Sequence, residues 1–221
     1  MKFRLTYEGE LRATQRDPEP HQKNPLAVHK HAIRRVFHRQ LRELWRTNSF
    51  LSKSMLDVGN PLMHRPISDQ NAYWGDEDGN KVPFSEYVAR RYVEYGYRWV
   101  PLVCDDFSLL CSLRMLFLRR DTPGSVISAG DIDNRIKTLI DALRRPRSGN
   151  ELVGDDQAPK ADEDPFFCLL EDDKQVHHLE VETDTLLDPM TDIDADVAKA
   201  RIVITVELRP YNVTYFNLSF G

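Results

Sequence analysis

The 221-residue chain has three cysteines, Cys104, Cys111 and Cys168, and no C-x-x-C pair. So odd and sparse a set excludes a disulfide scaffold and fits a reducing, cytoplasmic setting. Long apolar runs are also missing. The longest, residues 107–118, is too short to cross a bilayer and contains Arg114. The N-terminus lacks the apolar core of a secretory signal. No internal repeat is visible. Histidine and cysteine lack the convergent spacing of a zinc site. His177 and His178 are adjacent in a predicted strand, where neighbours point to opposite faces and cannot easily share one ion. These absences leave a non-membrane protein of one elaborated domain or two small ones.

What is present is 41% hydrophobic, enough for a core, with 30 basic and 35 acidic residues. The net charge of −5 conceals an asymmetry, because residues 1–120 carry +6 and residues 121–221 carry −11. Polyanion binding responds to local field more than to net charge, so a basic half leaves nucleic acid open as a partner.

The densest chemistry is Asp131-Ile-Asp133-Asn134-Arg135-Ile136-Lys137, followed downstream by Glu171-Asp172-Asp173-Lys174-Gln175-Val176. Residues at i and i+2 share a side in an extended segment but not in a helix. Asp131 and Asp133 therefore converge if the helix begins at about Asp133, a favoured N-cap residue. Ile136, Leu139, Ile140 and Leu143 then recur at helical spacing. Lys137 returns towards Asp133 one turn later, and the helix N-terminus adds partial positive charge suited to phosphate. Paired carboxylates near a lysine suit Mg²⁺, which takes oxygen ligands and can activate water for phosphodiester hydrolysis. The bland alternative is an N-cap, a solvated aspartate and a surface ion pair. An EF-hand is a poor fit, since its sixth and twelfth positions would be Ile136 and Ala142 instead of Gly and Glu. Asp192, Asp194 and Asp196 offer a calcium reading that a solvated loop explains as well.

The remaining pattern predicts a strand at residues 3–7, a polar loop at 17–25 and a helix over 26–46 buried through Ile33, Phe37, Leu41 and Leu44. Lys30, Arg34, Arg35, Arg39, Arg42 and Arg46, with His31 and His38, crowd its other surface. Arg35, Arg39, Arg42 and Arg46 follow one side at helical spacing, as phosphate contacts would. Arg144 and Arg145 offer another DNA path. The same charges also fit a solvated face. Residues 48–100 are hard to read beyond a turn at 76–80 and helical spacing over 84–95. Their aromatics, Tyr73, Trp74, Tyr92, Tyr95, Tyr97 and Trp99, suit either packing or stacking on unpaired bases. Residues 107–118 predict a central strand and 122–124 a turn. Residues 146–165 predict a mobile loop, 166–170 a return to the core, 176–183 a strand with Leu179 and Val181 on one face, 186–197 an acidic loop and 200–208 a last strand. The order β-α-β-α-β-β predicts an α+β fold with two main helices against a small mixed sheet.

The pair Asp131-x-Asp133-Asn134-x-x-Lys137…Asp141-Ala142-Leu143 and Asp172-Asp173-x-Gln175-Val176 resembles the RusA family of Holliday-junction resolvases. That resemblance implies a Mg²⁺-dependent endonuclease, usually a homodimer, that nicks branched DNA, with Mn²⁺ a possible substitute. It places the metal on Asp131, Asp133 and Asp173, and the family's lysine role on Lys137. Against that family the chain is one domain, 1–221, with insertions at about 48–100 and 146–165. The second stretches the distance between the acidic motifs. A catalytically weak or inactive module on the same fold, binding DNA or a protein partner through its insertions, especially 48–100, is the other expectation.

Overall fold

The structure is a computed structural model that describes residues 1–11, 25–57, 81–119, 132–152, 158–187, 199–214 and 216–220. The predicted loop at 17–25 up to residue 24, the turns at 76–80 and 122–124, Asp131, Tyr73, Trp74 and the three aspartates at 192–196 lie outside these residues.

Four strands form the main sheet. β1 (Lys2–Glu10) runs antiparallel to β9 (Lys199–Pro210), β9 antiparallel to β6 (Leu109–Arg119), and β6 parallel to β8 (Val176–Thr185). Period-2 alternation sets which face is dry. Leu5 and Tyr7 of β1, with Ile202, Ile204 and Val206 of β9, face the core, while Lys2, Arg4, Thr6 and Glu8 face outward. β6 is an interior strand, as its pattern predicts, and Leu109, Cys111, Leu113, Met115 and Phe117 are at most 2% exposed. Phe107 precedes the strand in a short 3-10 turn closed by Ser108 at φ 51°. Leu179 and Val181 do share a face of β8, but Leu179 is exposed on this edge strand.

Helix α1 (Pro25–Thr47) lies on the dry face through Ile33, Phe37, Leu41 and Trp45, with the Tyr7 and Phe37 rings 6.3 Å apart. Its buried arc is wider than one stripe. His31, Arg34 and His38, expected on the surface, are buried, because α4 (Ile132–Leu143) and β7 (Phe166–Leu170) cover α1 from a second side. Helix α4 starts at Ile132, so Asp133 occupies the first turn instead of the cap.

The described parts of the stretch 48–100, residues 48–57 and 81–100, are built into the core. Asn48 caps α2 (Ser49–Lys53) by accepting from the amides of Phe50 and Leu51. β2 (Met55–Asp57) and β3 (Lys81–Pro83) pair as a ribbon, and α3 (Phe84–Arg91) follows. β4 (Val93–Glu94) turns into β5 (Tyr97–Val103) through Tyr95 and Gly96, both at positive φ, the backbone that two-residue hairpin turns require. β5 then pairs in parallel with β7. Both strands are near-continuous apolar runs, YRWVPLV and FFCLL, as expected where both faces are covered. Val100, Leu102 and Phe167 join the main core, and Tyr97, Trp99, Phe166, Cys168 and Leu152 form a second cluster behind them. Tyr97 and Trp99 are wholly buried, so they pack and do not stack on bases.

Residues 146–165, expected to be a mobile loop, are anchored where described. A 3-10 turn spans Gly149–Leu152, and Leu152 and Glu163 are buried. The fold is thus a mixed α+β arrangement of four helices and three sheets among the described residues. No helix among them is long and apolar enough to cross a membrane.

Candidate metal and phosphate site

Because β5 and β7 are parallel, the segments leaving them emerge side by side. Asp105 follows β5, and Glu171, Asp172 and Asp173 follow β7. The Glu171 amide donates to the Val103 carbonyl at 2.9 Å, and the Asp105 amide donates to Glu171 Oε2 at 3.0 Å. The Tyr92 hydroxyl also donates to that oxygen at 3.3 Å. Glu171 is thereby a structural tie between the two strand ends.

The second acidic motif divides its labour. Asp172 caps the 3-10 turn Asp173–Gln175, accepting from the Lys174 amide at 3.0 Å. Buried Gln175 reaches back and accepts from the Glu171 and Asp172 amides, both at 3.1 Å. This reciprocal capping box fixes the loop. Asp173 is left with a half-exposed carboxylate.

Arg147 meets that carboxylate. Its guanidinium donates to both Asp172 oxygens, at 3.0 and 3.1 Å, and to Asp173 Oδ1. Partial burial works against the Asp172 charge, but the Arg147 guanidinium and the Lys174 amide outweigh it and hold the carboxyl far below the usual range. Lys174 itself pairs with Asp105 at 2.6 Å.

The first motif approaches from α4. Asp133 and Lys137 are exposed on its first two turns. The chain just past the helix docks on β7, where Arg144 bridges Leu170 and the Arg145 amide donates to the Leu170 carbonyl at 3.0 Å. Asp133 stands ten residues before Leu143, roughly 15 Å along the helix axis. Asp173 is three residues beyond Leu170, a reach of at most roughly 10 Å. That reach and two carboxylate arms are what can join the motifs. Among the described residues no group of three or more metal-ligating side chains is drawn together, and Asp131 lies outside them.

Most of the predicted phosphate contacts have partners within the chain. Lys30 pairs with Asp141, whose carboxylate also accepts from Arg144 at 2.9 and 3.2 Å. Arg34 donates to the carbonyls of Arg144 and Asp141, and burial pushes its guanidinium down to about 10. Arg144, 4% exposed, belongs to this buried network and is not a surface cation. Arg35 pairs with buried Glu163 at 2.6 Å, Arg42 donates to the Asp162 carbonyl at 2.9 Å, and Arg46 pairs with Glu43. Arg145 pairs with Glu94 and lies over the Tyr92 ring at 5.5 Å. Arg39 is exposed. Glu151, Asp162 and Glu163 of the acidic segment therefore lie against the basic residues of α1.

Asp105, Glu171 and Arg147 carry no role in the sequence-based prediction. The run Arg144-Arg145-Pro146-Arg147 ahead of Glu171-Asp172-Asp173 is the signal that points to Arg147, but pairing across 25 residues is a product of the fold. His177 and His178 separate as predicted, the first against Ser112 Oγ at 3.2 Å and the second near Glu180. No family model, curated protein or solved structure matches this chain.

Proposed function

We propose that this chain is a divalent-cation-dependent endonuclease of RusA type that cleaves branched DNA as a homodimer. The observation that carries the proposal is the division of labour in the second motif. Asp172 and Gln175 build the loop, and Asp173 remains as an outward carboxylate already in contact with a cation, the Arg147 guanidinium. Asp133 and Asp173 are oxygen donors open to solvent, which fits Mg²⁺ or Mn²⁺. Asp131, Asp133 and Asp173 would hold the ion. When bound, the ion supplies charge neutralisation at the phosphate and a more acidic water. Lys137, one turn beyond Asp133, would balance charge on the attacked phosphoryl group. Arg39 offers an exposed phosphate contact.

The alternative is a non-catalytic module that binds DNA or protein. The Arg147 bridge favours it, because an arginine neutralising two aspartates is also what a purely structural acidic loop would contain. Incubating purified protein with duplex, flap, fork and four-way-junction DNA, with and without Mg²⁺, separates the two. Metal-dependent nicking of branched substrates supports the nuclease. Binding without nicking under any divalent ion supports the module.

A further inference from the structure

Arg147 lies outside both acidic motifs, yet its guanidinium spans Asp172 and Asp173. Its backbone is fixed at both ends. The amide donates to Glu151 Oε1 at 3.1 Å, and the carbonyl accepts from the Tyr95 hydroxyl at 2.9 Å. The side chain itself is 53% exposed. The neighbouring cations differ. Arg145 is largely covered, stacks on Tyr92 and pairs with Glu94, and Lys174 is turned to Asp105. Arg147 is thus the cation in contact with Asp173 among the described residues, and water and ions can reach it.

A guanidinium and a divalent ion seek the same carboxylate oxygens. Two adjacent aspartates repel each other, and a counter-cation relieves that repulsion. Exposed ion pairs are weak and screened by salt, so such a counter-cation is easily exchanged. We propose that Arg147 is the resident counter-cation of this site, and that a divalent ion has to displace it from Asp173 to bind. The residue thereby sets the free-metal concentration at which the site fills. Its fixed backbone keeps the side chain close enough to return when the metal leaves. This inference rests on Asp173 being a metal ligand.

The test is Mn²⁺ binding to the full chain without DNA, read calorimetrically and by the paramagnetic resonance of free Mn²⁺. The proteins are wild type, Arg147→Ala, Arg147→Lys and Asp173→Asn. Arg147→Ala should bind Mn²⁺ about three- to tenfold more tightly than wild type, with Arg147→Lys between them. The gap should narrow at high salt. Equal affinity for wild type and Arg147→Ala, with binding lost in Asp173→Asn, overturns the counter-cation role and leaves the metal site standing. Weaker binding by Arg147→Ala also overturns it, because the arginine would then support the site. Absence of binding in all four proteins removes both the counter-cation and the metal site.

Discussion

Asp141 belongs to the continuation of the first acidic motif, but its carboxylate faces Lys30 and Arg144 in a nearly dry interface. Burial opposes its charge, and these two cations more than compensate, so its folded pKa falls below the ordinary value. A depressed carboxyl contributes stability above its unfolded pKa and loses it as pH falls through the folded value. Asp141→Ala should destabilise the fold by about 3 kcal/mol in denaturant titrations, because it strands Lys30 and leaves Arg144 with Glu151 alone as its carboxylate partner among the described residues. His38 acts earlier on the pH scale. Burial lowers its pKa, and its ring accepts from the Phe167 amide at 2.9 Å. The unfolded chain takes up this proton first, so stability falls as pH drops below about 6.5, by at most about 1.4 kcal/mol per pH unit. Melting temperatures recorded across pH 5–8 for wild type and His38→Gln check this, and the wild type should slope more steeply below pH 6.5 than the variant. Neither burial was legible in the sequence. Helical spacing marks one dry stripe, and the second covering of α1 comes from residues more than 100 positions away.

At the scale of elements, α1 combines two kinds of arginine that its sequence presents alike. Arg35 is clamped by Glu163, whereas Arg39 is exposed. Arg35→Ala should cost about 3 kcal/mol of stability, since it leaves Glu163 buried without its cation. Arg39→Ala should leave stability within about 0.5 kcal/mol. If Arg39 touches phosphate, that variant should also reduce the salt slope of DNA binding by about one. Urea titrations and binding isotherms over a salt series distinguish the two variants. Reversed assignments would mean that Glu163 does not hold α1 through Arg35 in solution. Long, strongly patterned elements were readable in advance: α1, α4, β6 and β9 lie within a few residues of their predicted places. β5 was not, because a strand buried on both faces has no alternation to detect. The β5–β7 pair is also non-local, joining residues more than 60 apart.

For the whole molecule, the arrangement that matters is the meeting of two chain regions at the carboxyl ends of β5 and β7. The stretch 84–107 supplies α3, β5 and Asp105, and 166–175 supplies β7 and the capped acidic loop. Helix α4 ends against the same place through Arg144 and Arg145. The candidate site was legible as a pair of motifs, since residue type and order survive in the sequence. Its present charge balance was not, because Arg147 meets Asp172 and Asp173 across 25 residues through backbone ties to Tyr95 and Glu151 that no local pattern encodes. The most direct measurement is the initial rate of Mg²⁺-dependent nicking of a four-way junction by wild type and by Asp173→Asn. The cap is carried by Asp172 and Gln175, so Asp173→Asn should fold normally. The nuclease proposal predicts that wild type nicks the junction and that the substitution lowers the rate by on the order of 10²–10³-fold. Equal rates, or a wild-type protein that leaves the junction intact with Mg²⁺ and Mn²⁺ alike, would contradict it.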